Sequence, residues 1–313
     1  MQLFFKTGLL AVFLLLCFPL LTAAGEEPAP DIVSEISGSI GMPWHSLQFG
    51  ADSLGNSVTT TLELSATALP DLNRKPYSEL PDTPQAFGSE QLLRLQVDGQ
   101  LSTLLGNSTT SATLWFDAGN GQALLRERLR PGNNGSSRIY RFSRTGVSRL
   151  RIEPDNSRES GQSVEHWTKR KTKFYKYDME KHGCTAVSDP SVLFYFVTDT
   201  NMARAPHCVF FDDALYRVRL VPDGSQSAPV DYVITTGNSS QHITGERELE
   251  KLSLHIEPLR RKTDIAKFEL FELRGAIAIY IDPESRLPVQ VSGERGGNIT
   301  LRLSAATLGR VIN

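Results

Sequence analysis

"AIYIDPESRLPVQVSGE", residues 278–294, shows the pattern of two short strands joined by a tight turn. Aliphatic residues recur at every second position on both sides of the turn, which is the period of a half-buried strand. These residues are Ile277, Ile279 and Ile281 before the turn and Leu287, Val289 and Val291 after it. Asp282 comes first in the turn, where its carboxylate can accept hydrogen bonds from backbone amides. The stretch therefore predicts an antiparallel β-hairpin.

A looser copy, "TLWFDAGNGQALLRERL", occupies residues 113–129, with Asp117 ahead of the turn "AGNG". Neither copy contains a catalytic set of residues, so we interpret the repeated device as a structural hairpin. The same period of two recurs in "VTTTLELSATAL", residues 58–69, and in "LYRVRLVP", residues 215–222. Together these stretches predict a mainly β protein built as an antiparallel meander.

Turn signals divide the predicted strands. Asp98-Gly99 is a typical two-residue hairpin turn, and Thr145-Gly146 marks a second bend. The polar stretch "PDGSQSAP", residues 222–229, predicts a hairpin tip or edge loop. The longest connection, residues 68–90, is a Pro-rich loop with four prolines. A loop of that length is typically either functional or disordered.

One segment, "SDPSVLFYFVTDT", predicts a short buried helix. Asp189 is a good N-cap, and Pro190 falls in the first helical turn, where proline is tolerated. Val192 and Phe196 are then four positions apart on one apolar face. The aromatic and β-branched content would also suit a strand, but the helix start signals agree with each other.

The first residues show the pattern of a secretory signal. Residues 1–24 contain one early lysine, an apolar run and small residues at the end. A retained membrane anchor is the alternative, although the apolar run is short for a span of about 20 residues. Cleavage after Ala24 would leave residues 25–313, which we predict to be a single β-rich domain. The net charge of −2 gives no reason to expect nucleic-acid binding.

Two cysteines remain after cleavage. In an exported protein, Cys184 and Cys208 most simply form a disulfide. Closing a loop of this size would stabilise the fold by about 3–4 kcal/mol in the chain-entropy model. The alternative is a zinc site that also uses His182 and His207, but the spacing matches no common zinc motif.

Local charge is the most distinctive feature. Between residues 138 and 176, eleven lysines and arginines stand against four acidic residues, with aromatic residues among them. This basic strip could contact anionic headgroups at a membrane surface. Alternatively, it is the solvent face of two hairpins whose edge strand carries cations against aggregation. The residues that we predict to bind ligand are Trp167, Lys169, Arg170, Lys171 and Lys173, with Phe194, Tyr195 and Phe196 from the aromatic run.

Signatures of common enzymes are absent from the sequence. It contains no G-x-S-x-G, no H-E-x-x-H, no phosphate-binding loop and no dinucleotide-binding glycine pattern. The acid pair Asp212-Asp213 occurs where a turn begins, a position at which aspartate is common. We therefore predict a protein without catalytic residues, metal or cofactor.

The stretches "DPSVLFYF", "LYRVRLVPDG" and "IYIDPESRLPVQVSGE" resemble an exported bacterial family known as domain of unknown function 3108. The resemblance covers about residues 90–305 and is carried near the end by Asp282, Pro283, Leu287, Pro288 and Val289. The early hairpin departs from the pattern, with Ala118 and Ala123 where prolines would stand. The family carries no assigned catalytic residues.

Such exported proteins are similar in plan to the half-barrels of LolA, LolB and RseB. The resemblance implies a curved antiparallel sheet with one or more short helices on its concave face. It further implies a non-catalytic protein of a Gram-negative periplasm, soluble after signal cleavage, that binds a lipid, a glycolipid or a lipidated protein. A membrane surface is a possible partner on this view, and nucleic acid is not. The alternatives are an envelope assembly factor and an enzyme that acts on envelope polymers.

Overall fold

Fifteen strands form one sheet in the part of the chain that the computed structural model describes. The described residues are 42–53, 56–80, 91–103, 106–132, 134–260, 264–295 and 297–309. The predicted signal, residues 1–24, and residues 81–90 of the Pro-rich loop lie outside them, so the single domain over 25–313 stays a prediction. No described helix is long and apolar enough to span a bilayer.

The strands follow one another mostly as hairpins. Their bounds are β1 Ser46–Ser53, β2 Asn56–Ala66, β3 Leu92–Thr103, β4 Gly106–Asp117, β5 Ala123–Arg130, β6 Ser136–Phe142, β7 Gly146–Glu153, β8 Lys169–Lys176, β9 Val187–Ser188, β10 His207–Phe211, β11 Ala214–Thr236, β12 Ser239–Pro258, β13 Arg274–Ile281, β14 Pro288–Glu294 and β15 Asn298–Leu308. Short helices are α1 Ser157–Ser160, α2 Leu193–Phe196 and α3 Thr200–Arg204, with single 3₁₀ turns at Tyr77–Glu79, Val164–His166, Pro190–Val192 and Ile265–Lys267.

The order of strands across the sheet is β8-β7-β6-β5-β4-β3-β2-β1-β15-β14-β13-β12-β11-β10-β9. Neighbours pair antiparallel, except that β9 runs parallel to β10. The end of β11 also pairs with β15, in parallel, so strands β11 to β15 close into a ring. These pairings confirm the predicted mainly β, antiparallel fold.

The sheet is strongly curved, as predicted, because its two ends meet through side chains. Phe210 on β10 packs against Tyr140, Phe142 and Tyr175 of β6 and β8, with ring centroids 5.5–6.3 Å apart. Strands β8 and β10 are the first and the fourteenth in the sheet order. We call the face that these rings share the inner face.

The aromatic segment fills the inner side of the sheet. Asp189 caps its first turn by accepting the amide hydrogen of Ser191 at 3.0 Å, and the predicted helix is confirmed over α2. Phe194 packs edge-on to Phe49 of β1 at 5.7 Å, and Phe196 stacks on the ring of His207 at 4.1 Å. Both phenylalanines are buried in the main hydrophobic core.

The predicted disulfide between Cys184 and Cys208 is confirmed, with their Cα atoms 5.8 Å apart. The bond attaches the chain before the aromatic segment to β10, the strand that follows it. Since both sulfur atoms are used in this bond, the pair offers no thiolates for the zinc alternative.

A second apolar cluster covers the outer face of β4 to β7. Leu69, Leu72, Tyr77 and Leu80, from the described half of the Pro-rich loop, pack there against Trp115 and Ile139. This part of the loop forms no strand. It acts as a cover for apolar residues on the outer face.

Both repeated hairpins are confirmed. The Asp282 carboxylate accepts the amide hydrogen of Glu284 at 2.9 Å, and Asp117 accepts that of Gly119 at the same distance. The predicted bend at Thr145-Gly146 also separates two strands, β6 and β7. The Asp212-Asp213 pair forms the turn between β10 and β11, and both residues have positive φ, at 41° and 72°.

Two predicted turns are wrong. Asp98 and Gly99 lie within the continuous strand β3, paired with β2 on one side and β4 on the other. Pairing along twelve residues outweighs the local turn preference of the dipeptide. Gly99 instead permits close approach, since a Cβ there would lie 2.9 Å from the Thr110 hydroxyl oxygen. The stretch 222–229 is likewise part of β11, with a register shift between Pro222 and Ser225.

Candidate functional site

A row of cations crosses four neighbouring strands of the sheet. Arg128 of β5 is opposite Arg138 of β6, which is opposite Arg151 of β7, which is opposite Lys171 of β8. Residues directly opposite each other in antiparallel strands project from the same face, about 5 Å apart. The four side chains therefore form one line across the sheet.

Further cations lie on both sides of this line. Arg130 and Lys169 lie on one side, and the adjacent row on the other side consists of Arg126, Tyr140, Arg149 and Lys173. The row beyond it, which includes Tyr175, belongs to the main core, so these cations lie on the inner face of the curved sheet. We define the basic inner face as Arg126, Arg128, Arg130, Arg138, Arg149, Arg151, Lys169, Lys171 and Lys173.

Like charges directly opposite each other destabilise a sheet, so both rows require compensation. Part of it comes from acids on other elements. Asp189 pairs with Arg126 at 2.9 Å, where both side chains are buried, and Asp213 pairs with Arg149 at 2.6 Å. Within the sheet, Glu153 pairs with Arg151 and lies 4.0 Å from Lys169.

The compensation is uneven along the row. Burial lowers the pKa of Arg128, and the neighbouring charges of Arg126 and Arg130 lower it further. Burial also lowers the pKa of Arg138, but Tyr140 and the acid pair of the β10–β11 turn outweigh this and leave it raised. Both side chains stay charged at neutral pH, because the guanidinium group of arginine is not deprotonated in proteins. The Nε atoms of Arg149 and Arg151 are buried without a hydrogen-bond partner among the described residues.

An apolar cleft adjoins the basic inner face. A cavity of about 80 Å³ lies beside Arg126 and Arg128. Its apolar lining is Val97, Ala112, Pro190, Phe211, Leu270 and Phe271. A second cavity, of about 50 Å³, shares Val97 and Phe271 with the first and continues between β2, β3 and β4. The cleft therefore has apolar walls and arginines at its edge. The acidic residues Asp189, Glu269 and Glu272 also line it.

The tight turn Leu270–Leu273 forms one wall of this cleft. Leu270 and Leu273 exchange backbone hydrogen bonds of 3.0 and 2.9 Å. The central residues, Phe271 and Glu272, have φ angles of 53° and 63°, which non-glycine residues rarely adopt. The Phe271 ring lies on Phe194, with centroids 4.4 Å apart. Strained residues of this kind are concentrated at functional sites.

The structure separates the predicted basic residues into two groups. Lys169, Lys171 and Lys173 are exposed on the inner basic side of β8. Arg170 points to the outer side, where its guanidinium donates to both carboxylate oxygens of Glu79, at 2.7 and 2.8 Å. Trp167 is buried in the outer cluster, away from the lysines.

The predicted aromatic residues lie in or against the main core, and Phe194 contacts the cleft residue Phe271. Phe194 and Phe196 are fully buried, and the partly buried Tyr195 packs edge-on to Phe116 at 5.4 Å. Phe194 supports Phe271 from below, so it would be uncovered if the Leu270–Leu273 turn moved. The ligand-binding role of these three residues stays a prediction.

The arginines of β5 and the residue Glu272 were not among the predicted site residues. Arg126, Arg128 and Arg130 recur at every second position in "RERLR", a spacing that places three cations on one face of a strand. That signal was available in the sequence. Within the described ranges, no group of His, Cys, Asp or Glu residues is arranged to hold a metal ion.

No protein-family model matches the chain, and no curated protein matches it. A solved structure with a similar trace is described as the "Crystal Structure of Beta-barrel-like Protein of Domain of Unknown Function DUF1849 from Brucella abortus". The similarity has a TM-score of 0.40 at 7% sequence identity and covers 85% of this chain and 96% of that chain. Similarity at this level carries no functional argument, and membership of family 3108 stays a prediction.

Proposed function

We propose that this protein is a non-catalytic binder of an amphipathic, anionic ligand of the lipid or glycolipid class. The observation that carries the proposal is the row of like charges Arg128, Arg138, Arg151 and Lys171 beside an apolar cleft. An anion on the row would relieve the repulsion between these side chains and bind by charge-assisted hydrogen bonds.

The apolar part of the ligand would enter the cleft beside Arg126. At about 80 Å³ the cavity holds only a small apolar group, whereas pockets for whole small molecules are typically about 300–1,000 Å³. An acyl chain therefore requires movement of the Leu270–Leu273 turn, which would uncover Phe194 as an apolar floor. This gives the predicted aromatic segment its place in the proposed site.

The disulfide supports the proposal that the protein works outside the cytoplasm, in the periplasm of a Gram-negative bacterium. In that compartment the partners with the right chemistry are anionic lipids, glycolipids and lipid-bearing proteins. The graded exposure of the basic inner face, from buried Arg126 to exposed Lys171, gives such a partner access from the β8 side.

The test is calorimetric titration of the protein, purified without detergent, with dihexanoyl phosphatidylglycerol below its micelle concentration. We expect Arg138→Gln/Arg151→Gln to weaken binding at least about tenfold, since each charge-assisted hydrogen bond is worth about 1.5–3 kcal/mol. Native mass spectrometry of the same preparation should show a bound anionic lipid that the double variant lacks.

The matched control is Arg141→Gln, on the opposite face of the same strand β6. It should bind like the wild type, and zwitterionic dihexanoyl phosphatidylcholine should bind weakly to every variant. The proposal would be rejected if the double variant, with unchanged melting temperature, bound the anionic lipid as tightly as Arg141→Gln does.

A further inference from the structure

Three arginines converge on the single carboxylate of Glu272. Arg130 donates to its Oε1 at 3.4 Å, Arg128 lies 4.0 Å from the same oxygen, and Arg295 pairs with Oε2. Arg128 and Arg130 come from β5, and Arg295 directly follows β14. One negative charge therefore faces three positive charges from two distant parts of the chain.

The backbone that delivers this carboxylate is strained. Phe271 and Glu272 both have positive φ in a turn type that normally uses asparagine or glycine. Residues in this conformation are energetically unfavourable and persist only when their surroundings hold them in place. The contacts that hold it are the arginines around Glu272 and the Phe194 ring under Phe271.

Space for a small anion lies next to two of these arginines, Arg130 and Arg295. A cavity of about 330 Å³ is lined by Arg130, Glu269, Glu272, Arg274, Glu294 and Arg295. Glu269 is paired with Arg274 in the same wall, so that acid does not compensate the three arginines. Glu294 adds one further carboxylate to the lining. Burial, then Arg126 and Arg130, lower the pKa of Arg128, and the charge of Glu272 offsets this only in part.

We propose that Glu272 occupies an anion subsite formed by Arg128, Arg130 and Arg295, and that a phosphate group displaces it there when ligand binds. This proposal rests on the proposed function and assigns phosphate chemistry to the acidic part of the ligand. The Leu270–Leu273 turn then occupies both parts of the site until a ligand displaces it. Glu272 occupies the position of the phosphate group, and Phe271 occupies the position of the apolar part of the ligand.

Charge and geometry favour phosphate over the carboxylate that it replaces. A phosphate monoester carries about −1.5 to −2 at neutral pH and presents three acceptor oxygens. Guanidinium groups bind such oxygens with two parallel hydrogen bonds, which a single carboxylate cannot offer to three arginines at once. Displacement also releases the strained turn from its contacts.

The experiment measures the binding of two probes, inorganic phosphate and dihexanoyl phosphatidic acid below its micelle concentration, by calorimetry. Glu272→Gln removes the internal competitor while keeping the side-chain shape. We expect it to raise the affinity for phosphate about tenfold, the size of one charge-assisted hydrogen bond. Adding Arg295→Gln to this variant should abolish the gain.

The matched control is Glu257→Gln, which removes the same charge from an exposed pair with Arg217 on strands β11 and β12. It should leave both affinities unchanged. An equal gain for both probes in Glu272→Gln would identify phosphate itself as sufficient, and a larger gain for the lipid would identify the headgroup. Either gain supports the subsite.

An unchanged affinity for both probes in a folded Glu272→Gln variant would overturn the subsite. If that variant does not fold, Arg295→Gln alone decides, because the proposal requires it to weaken phosphate binding about fivefold or more. The proposed function fails separately, through the Arg138→Gln/Arg151→Gln titration. Retained lipid binding that still depends on those two arginines would leave the proposed function intact without the subsite.

Discussion

A single glycine determines how closely the aromatic segment approaches the hairpin of β4 and β5. Gly121, in the turn "AGNG", has a φ of +71°, and a Cβ built there would lie 2.1 Å from Cζ of Phe196. The glycine and the ring are far apart in the chain, yet they are in direct contact. The repeated hairpin is therefore also a support for the core.

We expect Gly121→Ala to lower the free energy of unfolding by about 2–4 kcal/mol, because it adds a clash to the cost of a left-handed alanine. Gly132→Ala is the control. Gly132 also has positive φ, at +101°, but nothing lies within 4 Å of the position that a methyl group would take there. Gly132→Ala should therefore lower the free energy of unfolding by only about 1–2 kcal/mol. Urea unfolding measures both, and equal losses would show that the Phe196 contact is unimportant.

At the level of secondary structure, the disulfide joins the two ends of the segment 184–208, which packs on the inner side of the sheet. Cys184 precedes β9 and α2, and Cys208 lies in β10, directly after α3. Inside this loop, Asp189 caps the helical turn and pairs with Arg126 of β5. The segment is thus attached to the sheet covalently at its ends and by a buried ion pair near its start.

Reduction should lower the melting temperature, since it restores the conformational freedom of this loop in the unfolded chain. The expected loss in Cys184→Ser/Cys208→Ser is about 3–4 kcal/mol, measured by urea unfolding. Adding reductant should destabilise the wild type and leave the double variant unchanged. Titration of the unfolded wild type without reductant should reveal no thiol from this pair, and two reactive thiols would contradict the bond.

Across the whole described sheet, side-chain contacts connect two ends that no backbone hydrogen bonds join. No ladder of backbone hydrogen bonds joins β8 to β10 among the described strands. Phe210 and the Arg149–Asp213 ion pair connect these ends instead. Because the basic inner face lies on β5 to β8, its position relative to the cleft depends on this closure.

We expect Phe210→Ala to lower the free energy of unfolding by about 3–5 kcal/mol and to increase amide hydrogen exchange in β6 to β8. The control is Phe268→Ala, which removes an equally buried ring that contacts Phe211 and Tyr216 of β10 and β11 and not the rings of β6 and β8. It should lower the free energy of unfolding without a selective increase in amide hydrogen exchange in β6 to β8. Closure through Phe210 would be disproved if both variants gave the same exchange pattern.

The local features of this protein can be predicted from its amino-acid sequence. Strand period, the hairpin aspartates, the helix start at Asp189 and the disulfide all follow from residues close in the chain or from a cysteine pair. The turn predicted at Asp98-Gly99 failed because pairing along β3 with two neighbours overrides a dipeptide preference.

The candidate site, by contrast, depends on the order of the strands in the folded sheet. Alternation can show that Arg126, Arg128 and Arg130 share a face, but sheet order decides which cations stand beside them. Arg130 and Glu272 are 142 positions apart, and no local preference relates them. The curvature of the sheet then makes this face the inner one. Strand order and curvature both depend on contacts between residues far apart in the chain, which the period of a single strand does not encode.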